Sequence, residues 1–525
     1  MDPHKEAQTE STILTGKRLW TIFVALLFTV LLIALDQTIL ATALPRIASD
    51  LNGFTLQAWV AASFILAQSA FLLVFGQVLR IFAAKWILLA TITIFELGSL
   101  VCGLAHNMGA LIAGRTVSGL GAAGMFVSIL QILAQATRLE DRPKFMGMLG
   151  VVYSVASIIG PLIGGALTDH VSWRWCFYLN LPVGGVSMAA ISMLLKPDLW
   201  DQVRKIDFVA AVLAAGSVTC LGLALQWGGN TKSWNDKAVI VTFVFAGILA
   251  VALVFWEKHV GDAAMAPLVI FKSRSIYAVM LYGFLTRFTQ LIFAYASRPV
   301  FPGFVEKLTA TKSGIDILPM LVSGIVLMIA SGALTSKFGY YYPWLLAAPV
   351  FLVVGSGLFY SITLTTSSAK LAGFQVILGA STGLGLQNSL VAVQVEFKDE
   401  PKLLAQSQSV ASFFQFLGGM VGLSVAEAVF ASELTRFLAR YAPDAPAAVV
   451  RNSPTAIYTD LPAALIPGVV KAYLRSLRVV YLIGVPIAGV SILAALFIKN
   501  IKIVKEGPAS AKEESAPAKE ADVKT

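Results

Sequence analysis

The chain has 525 residues, 57% of them apolar or aromatic and only 13% charged, about half the ~25% usual for a soluble domain. Its net charge is +10, yet the basic residues sit in short loops and tails, with no continuous basic face carrying interleaved aromatics. These values exclude a string of soluble domains and argue against a nucleic-acid partner.

A helix that crosses a bilayer needs ~20 mostly apolar residues. After a polar N-terminal segment, 1–19, such runs fall at about 20–44, 55–79, 86–105, 109–135, 145–168, 176–195 and 206–226, on the same length criterion. They continue at about 238–256, 275–297, 314–335, 343–363, 370–395, 404–431 and 477–498. Fourteen spans predict an all-α polytopic membrane protein whose first partner is the lipid bilayer. Met1 to Arg18 is polar, so the first span is expected to act as its own insertion signal.

The spans divide as six, two and six. Residues 20–195 form an N-terminal six-helix bundle, and 196–274 an inserted helix pair with its linkers. Residues 275–498 form a C-terminal six-helix bundle with an outer loop at 432–476, and 499–525 a disordered cytoplasmic tail. Three echoes support the division. Gly119-Leu120-Gly121 recurs as Gly383-Leu384-Gly385, and Val155-Ala156-Ser157 as Val410-Ala411-Ser412. Gly76 to Lys85 recurs as Gly332 to Gly339. Two similar bundles flanking a site is a transporter plan. With the N-terminus cytoplasmic, 23 Lys and Arg fall on the inner side, 13 on the outer side and three inside spans. That asymmetry places both termini in the cytoplasm.

Ionisable residues inside spans point to function by default. Asp36 of span 1 and Glu96 of span 3 lie ~12 and ~13 Å below their outer ends, and Arg115 of span 4 lies ~9 Å in, at 1.5 Å per residue. One layer therefore carries two acids and a guanidinium. Proton occupancy of a carboxyl there responds to water access and to the distance from Arg115, which is what proton coupling requires. Asp36 and Arg115 are the first coupling candidates; Glu96 is the next, with an anchor for Arg115 as its alternative role. Arg287 of span 9 has no acid at its depth in the second bundle. It is expected either to draw an anionic or polar substrate group into the cavity or to bond backbone carbonyls. Gln131, Tyr153, Gln387, Asn388 and Gln415 are further cavity candidates, with helix pairing as the alternative.

Gly119-Leu-Gly121-Ala-Ala-Gly124 matches a dinucleotide-binding pattern letter for letter, but it lies inside a span and lacks the preceding strand. Close helix packing is the expected role. In span 5, Gly160, Pro161, Gly164 and Gly165 combine a bare face with a lost backbone donor, which predicts a bent, re-packable hinge. Cys102, Cys176 and Cys220 show no pairing pattern, and the four histidines are scattered, so no metal or cofactor is expected.

These residues resemble the fourteen-helix drug:proton antiporter family of the major facilitator superfamily, in particular its fungal toxin and secondary-metabolite efflux branch. The resemblance covers about residues 20–500. It is carried by Leu35-Asp36-Gln37-Thr38-Ile39 with Ala43-Leu44-Pro45, Gly114-Arg115, the glycines of span 4, Gly160-Pro161 with Gly164-Gly165, Phe95-Glu96-Leu97-Gly98-Ser99, and Trp173 to Pro182. It implies a major facilitator fold and efflux of a toxin, drug or secondary metabolite. It also implies a monomer in the plasma membrane, driven by the proton gradient, with the vacuolar membrane as the alternative location. Two departures stand out. Arg80 replaces the acid of the loop after span 2, so the cytoplasmic latch must be built differently. The stretch Tyr295 to Phe304 also departs from the fungal pattern. Import of a small organic anion or iron chelate is the alternative function, and a membrane-embedded enzyme the remote one.

Overall fold

The computed structural model describes residues 16–51, 56–194, 207–228, 232–261, 264–297, 317–446, 450 and 461–503. Most of the departing stretch after span 9 and the C-terminal tail from residue 504 lie outside them; 499–503, expected as part of a disordered tail, is ordered. The described residues form fourteen long helices. In the first half these are α1 (Gly16–Asp50), α2 (Gln57–Ile81), α3 (Ala84–Gly103), α4 (Met108–Ala136), α5 (Arg142–His170), α6 (Asn180–Leu194) and α7 (Phe208–Trp227). The others are α8 (Lys237–Val260), α9 (Arg274–Ser297), α10 (Leu318–Phe338), α11 (Tyr342–Tyr360), α12 (Ser368–Glu396), α13 (Pro401–Tyr441) and α14 (Ile466–Leu496). Each is long and apolar enough to cross a membrane, α6 together with the short helical turn Trp175–Tyr178.

Short polar breaks set the helix ends. Asn107, Asp207 and Asp236 accept hydrogen bonds from the backbone amides of Ala110, Ala210 and Ala238, which start α4, α7 and α8. Gly339, with φ 79°, ends α10 in the left-handed region that favours glycine.

Two corrections concern length. α1 runs through Pro45 to Asp50. The helices also reach into both ends of the stretch 432–476, expected as an outer loop: α13 continues to Tyr441 and α14 begins at Ile466. Arg436, Arg440, Lys471 and Arg475 lower its apolar count, but the helical period persists. Leu434 and Leu438 share a buried cluster with Val469 and Tyr473.

The bundles repeat one packing scheme. In the first, α1 packs on α5 and α6, α4 on α2 and α3, and α3 on α6. In the second, α9 packs on α13 and α14, α12 on α10 and α11, and α11 on α14. The bundles meet through α2–α13 and α5–α10, which exchange under the same correspondence. This is a two-fold arrangement of six and six helices with α7 and α8 added outside it.

The bundles close on each other at the end where α1 starts and α14 finishes, here called the base. Ser409 of α13 donates to the Leu72 carbonyl of α2 at 2.9 Å, and Gly76 has room only for hydrogen beside Ser409. On the other side, Gly147 of α5 lies against Met328 and Gly332 of α10. Farther from the base, Gly324 of α10 packs on Gly379 of α12. Along the α2–α13 seam, α7 covers the outer part, where Leu66, Leu225 and Met420 share a cluster.

Candidate functional site

The coupling candidates of span 1 and span 4 meet. Arg115 Nη1 lies 2.5 Å from Asp36 Oδ2, and the side chains are 2% and 0% exposed. The other carboxylate oxygen, Oδ1, accepts from Asn180 Nδ2 at 3.1 Å. The same Asn180 nitrogen donates to Ser99 Oγ at 3.1 Å. Arg115 Nε donates to the Val60 carbonyl at 3.3 Å, and its guanidinium carbon lies 4.3 Å from the Phe64 ring centroid. The pair is thus held by α1, α2, α3, α4 and α6 at once. A buried ion pair gains little in net stability over apolar packing, but losing one partner strands the other.

Glycines bring these helices close enough. Gly114 lies on the Cys102 backbone, Gly98 on Ser118, and Gly119 on the Phe64 backbone. Gly121 and Gly124 lie against Thr91, with Phe95 and Phe75 beside them. All of the glycines in the dinucleotide-like pattern are therefore helix contacts.

The hinge residues of α5 pack on α1 directly beyond Asp36. A Cβ at Gly160 would overlap Thr38, and one at Gly164 would overlap the Ile39 carbonyl. Thr38 Oγ1 donates to the Ala156 carbonyl at 3.1 Å, and Thr42 Oγ1 to the Pro161 carbonyl at 3.2 Å. Gly165 has open space where a Cβ would stand, so it takes no part in this close face. Next to Asp36, Gln37 accepts from Tyr153 Oη at 2.9 Å and donates to Gln68 at 3.3 Å, joining α1, α2 and α5.

The second bundle has no counterpart to the Asp36–Arg115 pair among the described residues. Arg287 is half-buried, with its stem beside Gly419 of α13, and its guanidinium has no described partner. Gln415 donates to Ser389 at 3.0 Å. Asn388 donates to Ser331 at 3.2 Å and to the Leu384 carbonyl, which ties α12 to α10. Gln131 and Gln387 each keep a buried amide oxygen without a partner.

Glu96 does not anchor Arg115. Both of its carboxyl oxygens are buried without a partner, and it faces Gly184 of α6. Reasoning from charge alone missed Asn180, Ser99 and Gln37. Their signal was spacing: Ser99 follows Glu96 by three residues on one helix face, and Asn180 is a polar residue opening an apolar helix.

At the base, Glu396 Oε1 receives Lys499 Nζ and Ser273 Oγ, each at 2.5 Å. The Tyr341 hydroxyl donates to the Lys499 carbonyl at 2.7 Å, and Ile503 N donates to the Gly339 carbonyl at 2.9 Å. The segment after α14 therefore straps the base of the second bundle.

Comparison with known proteins places this architecture. Residues 26–423 match the family described as Major Facilitator Superfamily. The chain is 37% identical over 509 residues to the MFS-type efflux pump MFS1 of Arthroderma benhamiae, covering 95% of this chain and 94% of that one. It is 33% identical to the efflux pump aflT of Aspergillus parasiticus, covering 94% and 98%. Among solved structures it resembles the proton:xylose symporter XylE, with a TM-score of 0.58 at 12% identity over 92% of this chain and 96% of that one. It also resembles the human organic anion transporter MFSD10, with a TM-score of 0.55 at 13% identity over 90% and 100%. Such identities speak for the fold, and the fungal relatives speak for the family. The chain is a member of the major facilitator superfamily, a multi-pass membrane transporter and not an enzyme.

Proposed function

We propose that this transporter exports a small organic molecule, a toxin, drug or secondary metabolite, in exchange for protons. The observation that carries the reading is the fully buried Asp36–Arg115 pair, set beside the Gly160–Gly164 face of α5. A proton reaching Asp36 from outside removes the charge that Arg115 answers. The bond loosens, and Thr38 and Thr42, two and six residues on, carry the change into α5. Since α5 also meets α10 at the base, its movement relative to α1 changes which end of the cavity is open. In this reading the base is cytoplasmic and the conformer faces outward, from the plasma membrane of a monomer. The membrane potential adds ~2.3 kcal/mol per charge per 100 mV.

Arg287 supports a substrate with an electron-rich or anionic group, because it is only partly buried and its guanidinium has no described partner. The relatives' printed names support export over import. Inverted vesicles test the reading. An imposed interior-acid gradient should drive uptake of sulforhodamine B, an anionic dye, by the wild type but not by Asp36→Asn. Gradient-independent uptake in both, or uptake only into right-side-out vesicles, would refute it.

A further inference from the structure

Glu96 is the buried acid that the ion pair leaves unused. Its surroundings are set by the antiparallel register of α3 and α6. Ser99 meets Asn180 at 3.1 Å. Thr93 Oγ1 meets Met188 Sδ at 3.5 Å, and Lys85 Nζ donates to the Ser192 carbonyl at 2.7 Å where the seam reaches the base. Glu96 lies between the first two contacts, opposite Gly184, and is 7% exposed. A Cβ at Gly184 would overlap Oε1, so only glycine leaves the carboxyl its place. Neither carboxyl oxygen has a hydrogen-bond partner. Ser187, one turn nearer the base on α6, is also fully buried with an unpartnered hydroxyl.

The charged and polar groups around this position are few. Asp36 comes from α1 and Arg115 from α4; Ser99 lies on α3 itself and Asn180 on α6. Arg115 is taken up by Asp36, Val60 and Phe64. Asp36 has donors on both oxygens, the bonding of a carboxylate. Glu96 has none, and a bare carboxylate without donors is costly at this depth. Donors meet both oxygens of Asp36 and neither oxygen of Glu96, so taking up a proton costs Glu96 no existing bond.

We propose that Glu96 is a second proton site, which takes the coupled proton from Asp36 and passes it along the α3–α6 seam toward the base. This rests on the exchange reading above. The step balances: the Asp36 carboxyl O–H breaks, the Glu96 carboxylate gains the proton, and the Asp36 carboxylate re-forms its bonds to Arg115 and Asn180. From Glu96 to Lys85 the seam runs ~16 Å at 1.5 Å per residue, with the buried Ser187 hydroxyl beside it.

The test is infrared difference spectroscopy on the purified full chain in lipid, titrated with acid and base. A carboxylic-acid band that titrates in the wild type should vanish in Glu96→Gln and shift in Glu96→Asp. Gly184→Ala, which crowds the carboxyl but keeps it, should displace the titration midpoint. Liposomes loaded with pyranine and given sulforhodamine B supply the transport readout. There gradient-driven accumulation should fall at least tenfold in Glu96→Gln. If the band is unchanged in Glu96→Gln, or its midpoint is unmoved in Gly184→Ala, the proposal is overturned. Equal gradient-driven accumulation in Glu96→Gln and wild type also overturns it. If the wild type itself shows no gradient-driven transport, the exchange reading fails instead, and the infrared titration still reports on Glu96.

Discussion

Replacing Arg115 with Met removes the ion pair to Asp36, the hydrogen bond to the Val60 carbonyl and the cation–π contact with Phe64. Met preserves most of the apolar stem, so the loss is chiefly electrostatic. Asp36 is then left with Asn180 as its one remaining donor at a site with no solvent exposure. Breaking a buried pair in this way costs ~3–5 kcal/mol. Asp36→Asn in the wild-type background leaves Arg115 with a neutral acceptor and should cost ~2 kcal/mol, the difference between a charged and a neutral hydrogen bond plus partial stranding. The double variant has no stranded charge. It should therefore be more stable than the sum of the single losses predicts, by ~1.5–3 kcal/mol of coupling. Denaturation of the purified chain in mixed micelles with SDS, followed by near-UV circular dichroism, measures all four corners of the cycle. Additivity within ~0.5 kcal/mol would mean the two side chains do not depend on each other, and the coupling mechanism would lose its basis.

The other expectations probe the surroundings of the pair. Asn180→Leu removes donors to both Asp36 and Ser99. It should cost ~1–3 kcal/mol in the same unfolding assay and slow gradient-driven dye transport; unchanged transport would show that Asn180 only packs. Gly164→Val should abolish transport because its branch would collide with the Ile39 carbonyl, whereas Gly165→Ala, in open space, should match wild type. The reverse ranking would refute the α1–α5 contact as the moving joint. Gly76→Leu, whose side chain has no room beside Ser409, should keep the base from closing and abolish dye transport. Transport at the wild-type rate would show that the base does not close there.

Much of the fold is legible in one dimension because lipid permits few solutions. A backbone crossing hydrocarbon must satisfy its own polar groups, so every long apolar run becomes a helix. Fourteen runs gave fourteen helices, and the echoes around Gly119 and Gly383 anticipated a repeated packing scheme. Where polar residues interrupt the apolar count, as at 432–441 and 466–476, composition mistook helix for loop, because helical hydrogen bonding does not require an apolar surface.

For the site, residue type and depth along the chain were enough to mark Asp36, Glu96 and Arg115, since ionisable groups at that depth are rare and expensive. Which acid answers the guanidinium was a different kind of question. Two acids in one layer are equivalent until helix rotation and neighbours are known. Packing turned Asp36 onto Arg115, brought Asn180 from α6 to its other oxygen, and left Glu96 against a glycine. Hydropathy is a property of each residue and its chain neighbours, so it was determined by the sequence alone. The pairing of charges depends on angles and on side chains up to 144 positions apart, so only the folded arrangement decided it.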